Sequence, residues 1–341
     1  MSRASQARRI AVAAAYGGGA VGAAGMILLG VLVGEARLAR RTVGEPTTEP
    51  PVADGLYGPE RACSGAGPDP ITLALLGDSG AAGFGVDRPA ETPGALLAAG
   101  LSEVADRPVR LVNTAKVGAR SADLLGQVTA ALEHSPDLAV IMIGANDVTH
   151  RVRPVNSVRQ LSEAVRRLRA DGVEVVVGTC PDLGTIEPIA QPLRLVARRW
   201  SRAMAAAQTI AVVKAGARSV SLGDLLGPEF AAQPRVMFSA DRFHPSASGY
   251  ARVASVVLPS MAAALGLGPA DRARPALETE EGVSSLAAAA VQAVEEPGTE
   301  VSGTEVGGQE TGPRGRWVVL EHRIRRFTRR PAGPQVEQPV R

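Results

Sequence analysis

Short runs of Val, Ile and Leu alternate with helical stretches through the middle of this 341-residue chain. Uninterrupted apolar runs are typical of strands covered on both faces, as in a parallel sheet between two layers of helices. The strands are predicted at Ile71–Leu76, Val109–Val112, Leu138–Ile143, Val173–Thr179 and Ser219–Leu222, and the helices at 93–105, 121–133, 155–170, 190–215 and 246–264. The sequence therefore predicts an α/β fold, a three-layer α/β/α sandwich with a central parallel sheet of about five strands.

An uncharged run of 24 residues, 10–33, precedes this region and follows a basic N-terminus, residues 1–9. As a helix the run would be about 36 Å long, enough to cross a hydrocarbon core of about 30 Å. We therefore predict a transmembrane helix or signal anchor, which makes this a single-pass, membrane-anchored protein of the cell envelope. A cleaved signal peptide is the alternative, although such segments are usually shorter. The extracytoplasmic side is favoured for the folded domain, but basic residues flank the run on both sides, so its orientation stays open.

Composition divides the rest of the chain into three segments. Residues 34–70 are rich in Pro, Gly, Thr and Glu and are predicted to be a linker, whereas residues 71–266 form the folded domain. Residues 267–341 are predicted to be a disordered tail, in which 278–310 holds eight glutamates and 314–330 holds seven arginines. Apolar residues interleave with these arginines. The basic segment is therefore either an amphipathic helix on an anionic membrane or a solvated tail that pairs with the upstream glutamates.

The overall composition excludes several classes of protein. With 45% hydrophobic residues, the chain is neither wholly disordered nor a multispanning membrane protein. Its net charge of +3 is unevenly placed and does not indicate a nucleic-acid partner. Two cysteines, Cys63 and Cys180, are too few for a disulfide-stapled miniprotein or a Cys-based zinc site. The sequence leaves open whether they form a disulfide or remain buried thiols.

Polar residues follow three successive predicted strands, and a fourth polar segment stands late in the chain. The four segments are Gly77-Asp78-Ser79-Gly80, Asn113 with Gly118, Gly144-Ala145-Asn146-Asp147, and Asp241-Arg242-Phe243-His244. In a parallel sheet with right-handed crossovers, the loops that follow the strands all lie at the carboxyl edge, where ligands bind. We therefore predict a functional site at that edge.

The residue types in these segments suit nucleophilic catalysis. A serine on a tight turn after a strand, here Ser79, can expose its hydroxyl. Asp241 can accept a hydrogen bond from Nδ1 of His244, three residues on, which leaves Nε2 free to take a proton. The Asn146 amide and the backbone N–H groups of Ser79 and Gly118 can stabilise a developing oxyanion.

In these blocks the chain resembles the SGNH hydrolase family, also called GDSL esterases and lipases, over residues 71–266. The resemblance implies a flavodoxin-like three-layer fold, hydrolysis of acyl esters, and neither a metal nor a cofactor. It implies that Ser79 is the nucleophile, that His244 is the base held by Asp241, and that Gly118 and Asn146 are oxyanion donors. Asp78, Gly144 and Asp147 are the expected supporting residues. The second block, from Asn113 to Gly118, departs most from the family pattern.

The resemblance leaves the substrate open. Small side chains beside Ser79, namely Ala81, Ala82 and Gly83, favour a short acyl group. The anchor and tail look like those of actinobacterial envelope members of the family, whose position would suit small-molecule, lipid or glycan esters.

Three alternatives are weighed against an esterase. A non-catalytic, membrane-tethered scaffold would use the anchor and the basic tail but would leave the polar residues at the strand ends without a role. A nucleotide-binding loop at 77–85 lacks the expected glycine order and ribose-binding acid. A metal-dependent phosphoesterase would need Asp78, Asp147 and His244 to converge on one ion.

Overall fold

The computed structural model describes residues 30, 31, 33–35, 38, 49–58, 68–267, 300 and 301. The strands are β1 (Gly55–Tyr57), β2 (Ile71–Gly77), β3 (Val109–Asn113), β4 (Leu138–Met142), β5 (Glu174–Gly178), β6 (Arg218–Val220) and β7 (Glu300–Val301). The α-helices are α1 (Ser79–Ala82), α2 (Pro93–Ala105), α3 (Leu124–Leu132), α4 (Ala145–Thr149), α5 (Pro154–Ala170), α6 (Leu193–Lys214), α7 (Leu222–Ala232), α8 (Pro234–Met237) and α9 (Ala247–Ala264). Short 3₁₀ helices occupy Pro89–Glu91, Ser121–Asp123 and Leu183–Thr185.

The strands form one mixed sheet in the order β1-β3-β2-β4-β5-β6-β7. Strands β2 to β6 are parallel to their neighbours within that group, and each overlaps a predicted strand. The α/β fold with five parallel strands is therefore confirmed. The sequence analysis missed α1, α4 and α8, which have four or five residues, because helices this short show no hydrophobic period. It also missed the eleven-residue α7, whose first residue, Leu222, was assigned to the predicted strand Ser219–Leu222.

Two layers of helices cover the sheet. On one face, Leu73 and Leu75 of β2 belong to a core shared with α2 and α9. On the other face, Ala74 and Leu76 belong to a core shared with α3 and α5. Helix α6 packs beside α5 in that second layer. Successive side chains of β2 enter these two cores in turn, so every residue of the strand is buried. For this reason its sequence is a nearly continuous apolar run.

Part of the segment predicted as linker is built into the domain. Strand β1 lies within residues 34–70 and pairs antiparallel with β3 at the edge of the sheet. Asp54 accepts a hydrogen bond from the backbone N–H of Asn113 at 2.6 Å, and Ala53 is buried. No local pattern predicts this strand, because a three-residue edge strand needs no apolar alternation.

Most of the predicted membrane span lies outside the described residues, since only 30, 31 and 33 of residues 10–33 are included. The tail beyond 267 lies outside them too, apart from the two residues of β7, which pair with β6. Among the helices that the structure describes, none is long and apolar enough to cross a membrane. Cys63 is also outside the described residues, whereas Cys180 is a buried free thiol.

Candidate active site

Ser79 follows a turn so tight that only glycine fits two residues before it, at position 77. Strand β2 ends at Gly77, which has φ +142°, and a Cβ there would lie 1.9 Å from the backbone oxygen of Met142. Asp78 then caps α1 by accepting a hydrogen bond from the Gly80 N–H at 2.9 Å. Ser79 is the first residue of this helix and is 8% exposed. The turn therefore holds the serine hydroxyl at the carboxyl edge of the sheet.

The side chains of Ser79, His244 and Asp241 are hydrogen-bonded in series. Ser79 Oγ lies 2.9 Å from His244 Nε2, although the two residues are 165 positions apart. On the other side of the ring, His244 Nδ1 lies 2.6 Å from Asp241 Oδ2. Because an ionised carboxylate only accepts hydrogen bonds, Nδ1 must carry the proton, and Nε2 is then free to accept the serine proton.

The loop that carries Asp241 is organised around its carboxylate. Oδ1 accepts hydrogen bonds from the backbone N–H groups of Phe243 and His244, at 2.8 and 2.9 Å, and from Ser239 Oγ at 2.7 Å. Burial raises the pKa of Asp241, but the hydrogen bond from His244 and those in the loop outweigh it and bring the pKa well below its usual range. Asp241 is therefore ionised at neutral pH.

The sequence analysis missed two residues that position the imidazole of His244: Phe84, which contacts the ring, and Tyr250, which supports Phe84. The Phe84 ring packs against the His244 ring with a centroid separation of 4.5 Å. The Tyr250 hydroxyl donates to the Phe84 carbonyl at 2.6 Å, and Tyr250 is almost wholly buried in α9. Phe243 packs on the ring as well, at 4.9 Å. The scarcity of aromatic residues, 3% of the chain, was the signal that could have drawn attention to Phe84 and Tyr250.

Asn146 lies in the first turn of α4, beside the loop that contains Gly118. Its Nδ2 donates to the carbonyl of Ala119 at 3.0 Å, which leaves the second amide hydrogen unused by that bond. Gly118 is exposed with φ +78° and is linked to Asn146 through its neighbour Ala119. The same loop is tied to the turn before Ser79, because the Lys116 N–H donates to the Gly77 carbonyl at 3.1 Å.

Asp147 stabilises the helix α4 that carries Asn146. It is fully buried and accepts hydrogen bonds from the backbone and the hydroxyl of Ser121 and from the hydroxyl of Ser157. It thereby joins α4 to the 3₁₀ helix at Ser121 and to α5. Because its oxygens are occupied in this way, Asp147 supports the loop that carries Asn146.

Two buried glutamines, also missed from the sequence, clamp the strand ends. Gln127 of α3 accepts from the Gly77 N–H at 2.8 Å and donates to the Gly77 carbonyl at 2.9 Å. Gln208 of α6 accepts from the Cys180 N–H at 2.7 Å and donates to the Ile143 carbonyl at 2.9 Å. Gly144 fits against this second clamp, since a Cβ there would lie 2.9 Å from Gln208 Nε2. A side-chain amide can satisfy a backbone N–H and C=O together, which suits the ends of strands, where regular pairing stops.

An apolar cavity of about 120 Å³ opens beside Ser79 and His244. Its walls come mainly from α7, from the loop after β5 and from the end of β4. They include Met142, Pro181, Leu183, Ile186, Leu222, Leu226, Phe230, Phe238 and Phe243. Ala81 and Ala82, which the sequence analysis took as a sign of a short acyl group, are buried and do not line this cavity.

Asp78 is a buried carboxyl whose charge is poorly accommodated. Burial raises its pKa to about 6, and the charge of Asp147 adds to the effect, although the Gly80 N–H and His244 act in the opposite direction. A carboxyl whose pKa is higher in the folded than in the unfolded protein lowers the stability progressively as the pH rises from the unfolded to the folded pKa, and the full cost applies above the folded value.

We expect Asp78→Asn to be more stable than the native protein at pH 8, by about 2–3 kcal/mol, and to lose this advantage as the pH falls to 4. Asparagine keeps an oxygen for the Gly80 N–H but carries no charge. Thermal melts across this pH range, with exposed Asp69→Asn as the control, test the effect. A stability difference between Asp78→Asn and the native protein that does not change with pH would contradict it.

Two further possibilities can be judged from the geometry. Within the described part of the chain, no group of three or more His, Cys, Asp or Glu side chains is placed to hold a metal ion, so the metal-dependent alternative lacks its ligand set. Burial, with the nearby charges of Asp78, Asp147 and Asp182, raises the pKa of the Cys180 thiol well above its usual value. Cys180 is therefore not a nucleophile, because the thiolate is the reactive form.

A parallel α/β sheet with serine, histidine and aspartate hydrogen-bonded in series at its carboxyl edge is typical of serine hydrolases. The model of the GDSL-like lipase/acylhydrolase family matches residues 75–252, which contain every residue of the site described above. The chain belongs to this family.

Two sequence relatives agree with the assignment to this family. The chain is 45% identical to the GDSL-like esterase Rv1075c of Mycobacterium tuberculosis over 267 residues, 76% of this chain and 85% of the relative. It is 30% identical to esterase TesA of Pseudomonas aeruginosa over 178 residues, 49% of this chain and 84% of that protein. The structure is also similar to a crystal structure of TesA, and the match covers 57% of this chain and 99% of the TesA chain at 26% identity and a TM-score of 0.47. The protein is a carboxylic ester hydrolase.

Proposed function

We propose that this esterase hydrolyses acyl esters through a covalent intermediate on Ser79, with His244 as the general base and Asp241 as its partner. The observation that carries this proposal is the 2.9 Å approach of Ser79 Oγ to His244 Nε2 at the mouth of an apolar cavity. Nucleophile, base and orienting carboxylate have the mutual geometry that such chemistry requires.

The reaction proceeds in two halves. Ser79 Oγ attacks the ester carbonyl carbon while its proton passes to His244 Nε2. The imidazolium then returns that proton to the departing alkoxide, the ester C–O bond breaks, and the alcohol leaves an acyl-serine. In the second half, water attacks the acyl carbon and gives its proton to His244. The acid departs, and Ser79 recovers its proton.

The oxyanion formed in each half needs donors on the far side of the carbonyl. The free amide hydrogen of Asn146 and the backbone N–H groups of Ser79 and Gly118 are the proposed donors. Support comes from the Asn146–Ala119 hydrogen bond, which keeps the asparagine and the Gly118 turn together. Donors held in place before the reaction do not have to reorganise as charge develops, which is the main source of their effect.

We expect Asn146→Ala to lower kcat about 10²–10³-fold with little change in KM, because its donor acts on the developing negative charge. Steady-state kinetics on p-nitrophenyl butyrate measure both constants. Asn156→Ala, an exposed change on α5, serves as the control. A larger effect on KM than on kcat would show that Asn146 binds the substrate rather than the transition state.

The acyl group is proposed to enter the cavity between α7 and the loop after β5. A cavity of about 150 Å³ can hold a benzene molecule, so about 120 Å³ suits an acyl group of roughly four to six carbons. Leu226 and Phe230 of α7 form its walls together with Ile186. A short-chain ester is therefore the proposed substrate.

A series of p-nitrophenyl esters from two to sixteen carbons tests this proposal. We expect kcat/KM to peak at about four to six carbons and to fall for longer chains. Leu226→Ala should move the peak to longer chains because it lengthens the cavity, whereas exposed Leu125→Ala should not. A peak that stays unchanged in Leu226→Ala would place the acyl group elsewhere.

The domain is also proposed to be tethered to the cell envelope by residues 10–33, on the extracytoplasmic side. Support comes from the length and apolarity of this run. Lipid or glycan acyl esters of the envelope are the substrates that such a position would offer. Resistance of the full chain to extraction from membranes by alkaline carbonate tests the tether.

A further inference from the structure

The N-terminal half of α6 exposes large apolar side chains among arginines. Leu195 is 63% exposed and Trp200 is 46% exposed, and the exposed Arg199 lies between them. At 3.6 residues per turn, these three side chains fall within about 140° of the helix circumference. The opposite side of the helix is buried, with Ser201 and Met204 almost inaccessible. We refer to Leu195, Arg199 and Trp200 as the α6 face.

We propose that the α6 face docks the catalytic domain onto an anionic lipid bilayer. The inference rests on the proposed function, since it assumes the tether formed by residues 10–33. Tryptophan concentrates at membrane interfaces because its ring is apolar and its N–H is polar. Arginine extends its apolar stem along the membrane while its guanidinium meets the headgroups, which makes this combination suited to a bilayer.

The course of the chain before the domain supports this orientation. Glu35 Oε2 accepts a hydrogen bond from the backbone N–H of Leu193, the first residue of α6, at 2.9 Å. Glu35 follows the end of the uncharged run 10–33 by two residues. A bilayer that held this run would therefore meet the domain at the N-terminus of α6, beside the α6 face.

The carboxyl edge of the sheet is also positively charged at the start of the neighbouring helix, α5, which suits an anionic bilayer. Helices α5 and α6 pack together, and both begin at the carboxyl edge of the sheet. Arg151 and Arg153, just before α5, are exposed, and Val155 beside them is 71% exposed. The start of the neighbouring helix thus repeats the mixture of arginine and apolar side chains of the α6 face, which favours anionic lipids over an acidic protein partner with no apolar groups.

Docking in this way would bring the acyl cavity to the bilayer. The 3₁₀ helix Leu183–Thr185 packs against α6, and Leu183 and Thr185 both line the cavity. Asp182, another lining residue, pairs with Arg198 of α6 at 3.3 Å. An ester held in the membrane would then have a short path to Ser79.

The two tryptophans of the chain make the proposal testable in the full-length protein. Trp317→Phe leaves Trp200 as the sole tryptophan. In vesicles of phosphatidylcholine and phosphatidylglycerol, we expect brominated acyl chains to reduce Trp200 emission by about half relative to unbrominated ones. The reduction should shrink when phosphatidylglycerol is omitted, and in a variant that also carries Leu195→Asp and Arg199→Glu.

A matched control lies at the far side of the molecule. Val104 is 47% exposed and stands at the end of α2, in the other helix layer and at the opposite edge of the sheet. Val104→Trp in a chain with Trp200→Phe and Trp317→Phe should show no bromine quenching.

The outcomes separate docking from the proposed function. Equal quenching of Trp200 and of the Val104→Trp control would overturn the docking surface. So would a Trp200 emission that shifts to the blue with protein density but is not quenched, since that result indicates a second copy on this face. Hydrolysis of soluble p-nitrophenyl butyrate by Trp317→Phe, measured in the same samples, reports the esterase independently, and carbonate extraction reports the tether.

Discussion

Ser79→Ala should abolish hydrolysis of p-nitrophenyl butyrate, with a fall in kcat of about 10⁴–10⁶-fold, while the protein stays folded. The fall is large because the variant has no nucleophile, and His244 then has no hydroxyl to deprotonate. The fold should survive because the backbone carbonyl of Ser79, not its side chain, holds the turn by accepting from the Phe84 N–H at 3.0 Å. The hydroxyl itself bonds to His244.

Two measurements make this result specific. A fluorophosphonate probe should label the native protein and fail to label Ser79→Ala. Ser255→Ala, an exposed change on α9, should keep full activity and full labelling. Near-native turnover by Ser79→Ala would refute the catalytic assignment, and labelling of another serine would relocate the nucleophile.

Asp241→Asn should lower kcat about 10⁴-fold with a smaller effect on KM. The asparagine oxygen can still accept from the N–H groups of Phe243 and His244, so the loop should keep its shape. Its NH₂ group would then face His244 Nδ1 and donate to it, which forces the proton onto Nε2. The imidazole in that tautomer cannot take the proton of Ser79.

Kinetics and a thermal melt of the same sample distinguish two causes of lost activity, namely the wrong tautomer of His244 and unfolding of the loop. We expect the melting temperature of Asp241→Asn to stay within a few degrees of the native value, with Asp69→Asn as a charge-matched control. An Asp241→Asn enzyme with full activity would mean that the histidine needs no carboxylate. A collapse of the melting temperature would show that Asp241 acts mainly on the loop.

Much of the fold could be predicted because its signal is local. The buried parallel strands are continuous apolar runs, and helices such as α2 and α5 are long enough to show a period of 3.6 residues. Strand β1 and helix α1 carry no such signal, since three or four residues span less than two repeats of any pattern. Their positions follow from contacts with distant parts of the chain.

The sequence alone determines which residue types are available for ester hydrolysis and in which order they follow the strands. Ser79, Asn146, Asp241 and His244 could be named before any coordinates because each stands in a short motif whose chemistry is local. The partners that hold them could not be named. Gln127 is distant from those motifs along the chain. Phe84 and Tyr250 lie five and six residues after Ser79 and His244, but side chains of these types usually lie in cores or at surfaces without such a role, and only the fold brings Phe84 onto the His244 ring.

Three further features were decided only by the tertiary structure. They are the path of the acyl group, the position of Glu35 against α6 and the exposure of Trp200. Each arises where segments far apart in the chain pack against one another, as α7 does with the loop after β5 around the cavity. A local pattern reports which face of a helix is apolar. It does not report which distant segment will cover that face or leave it exposed, because that depends on the packing of the whole domain.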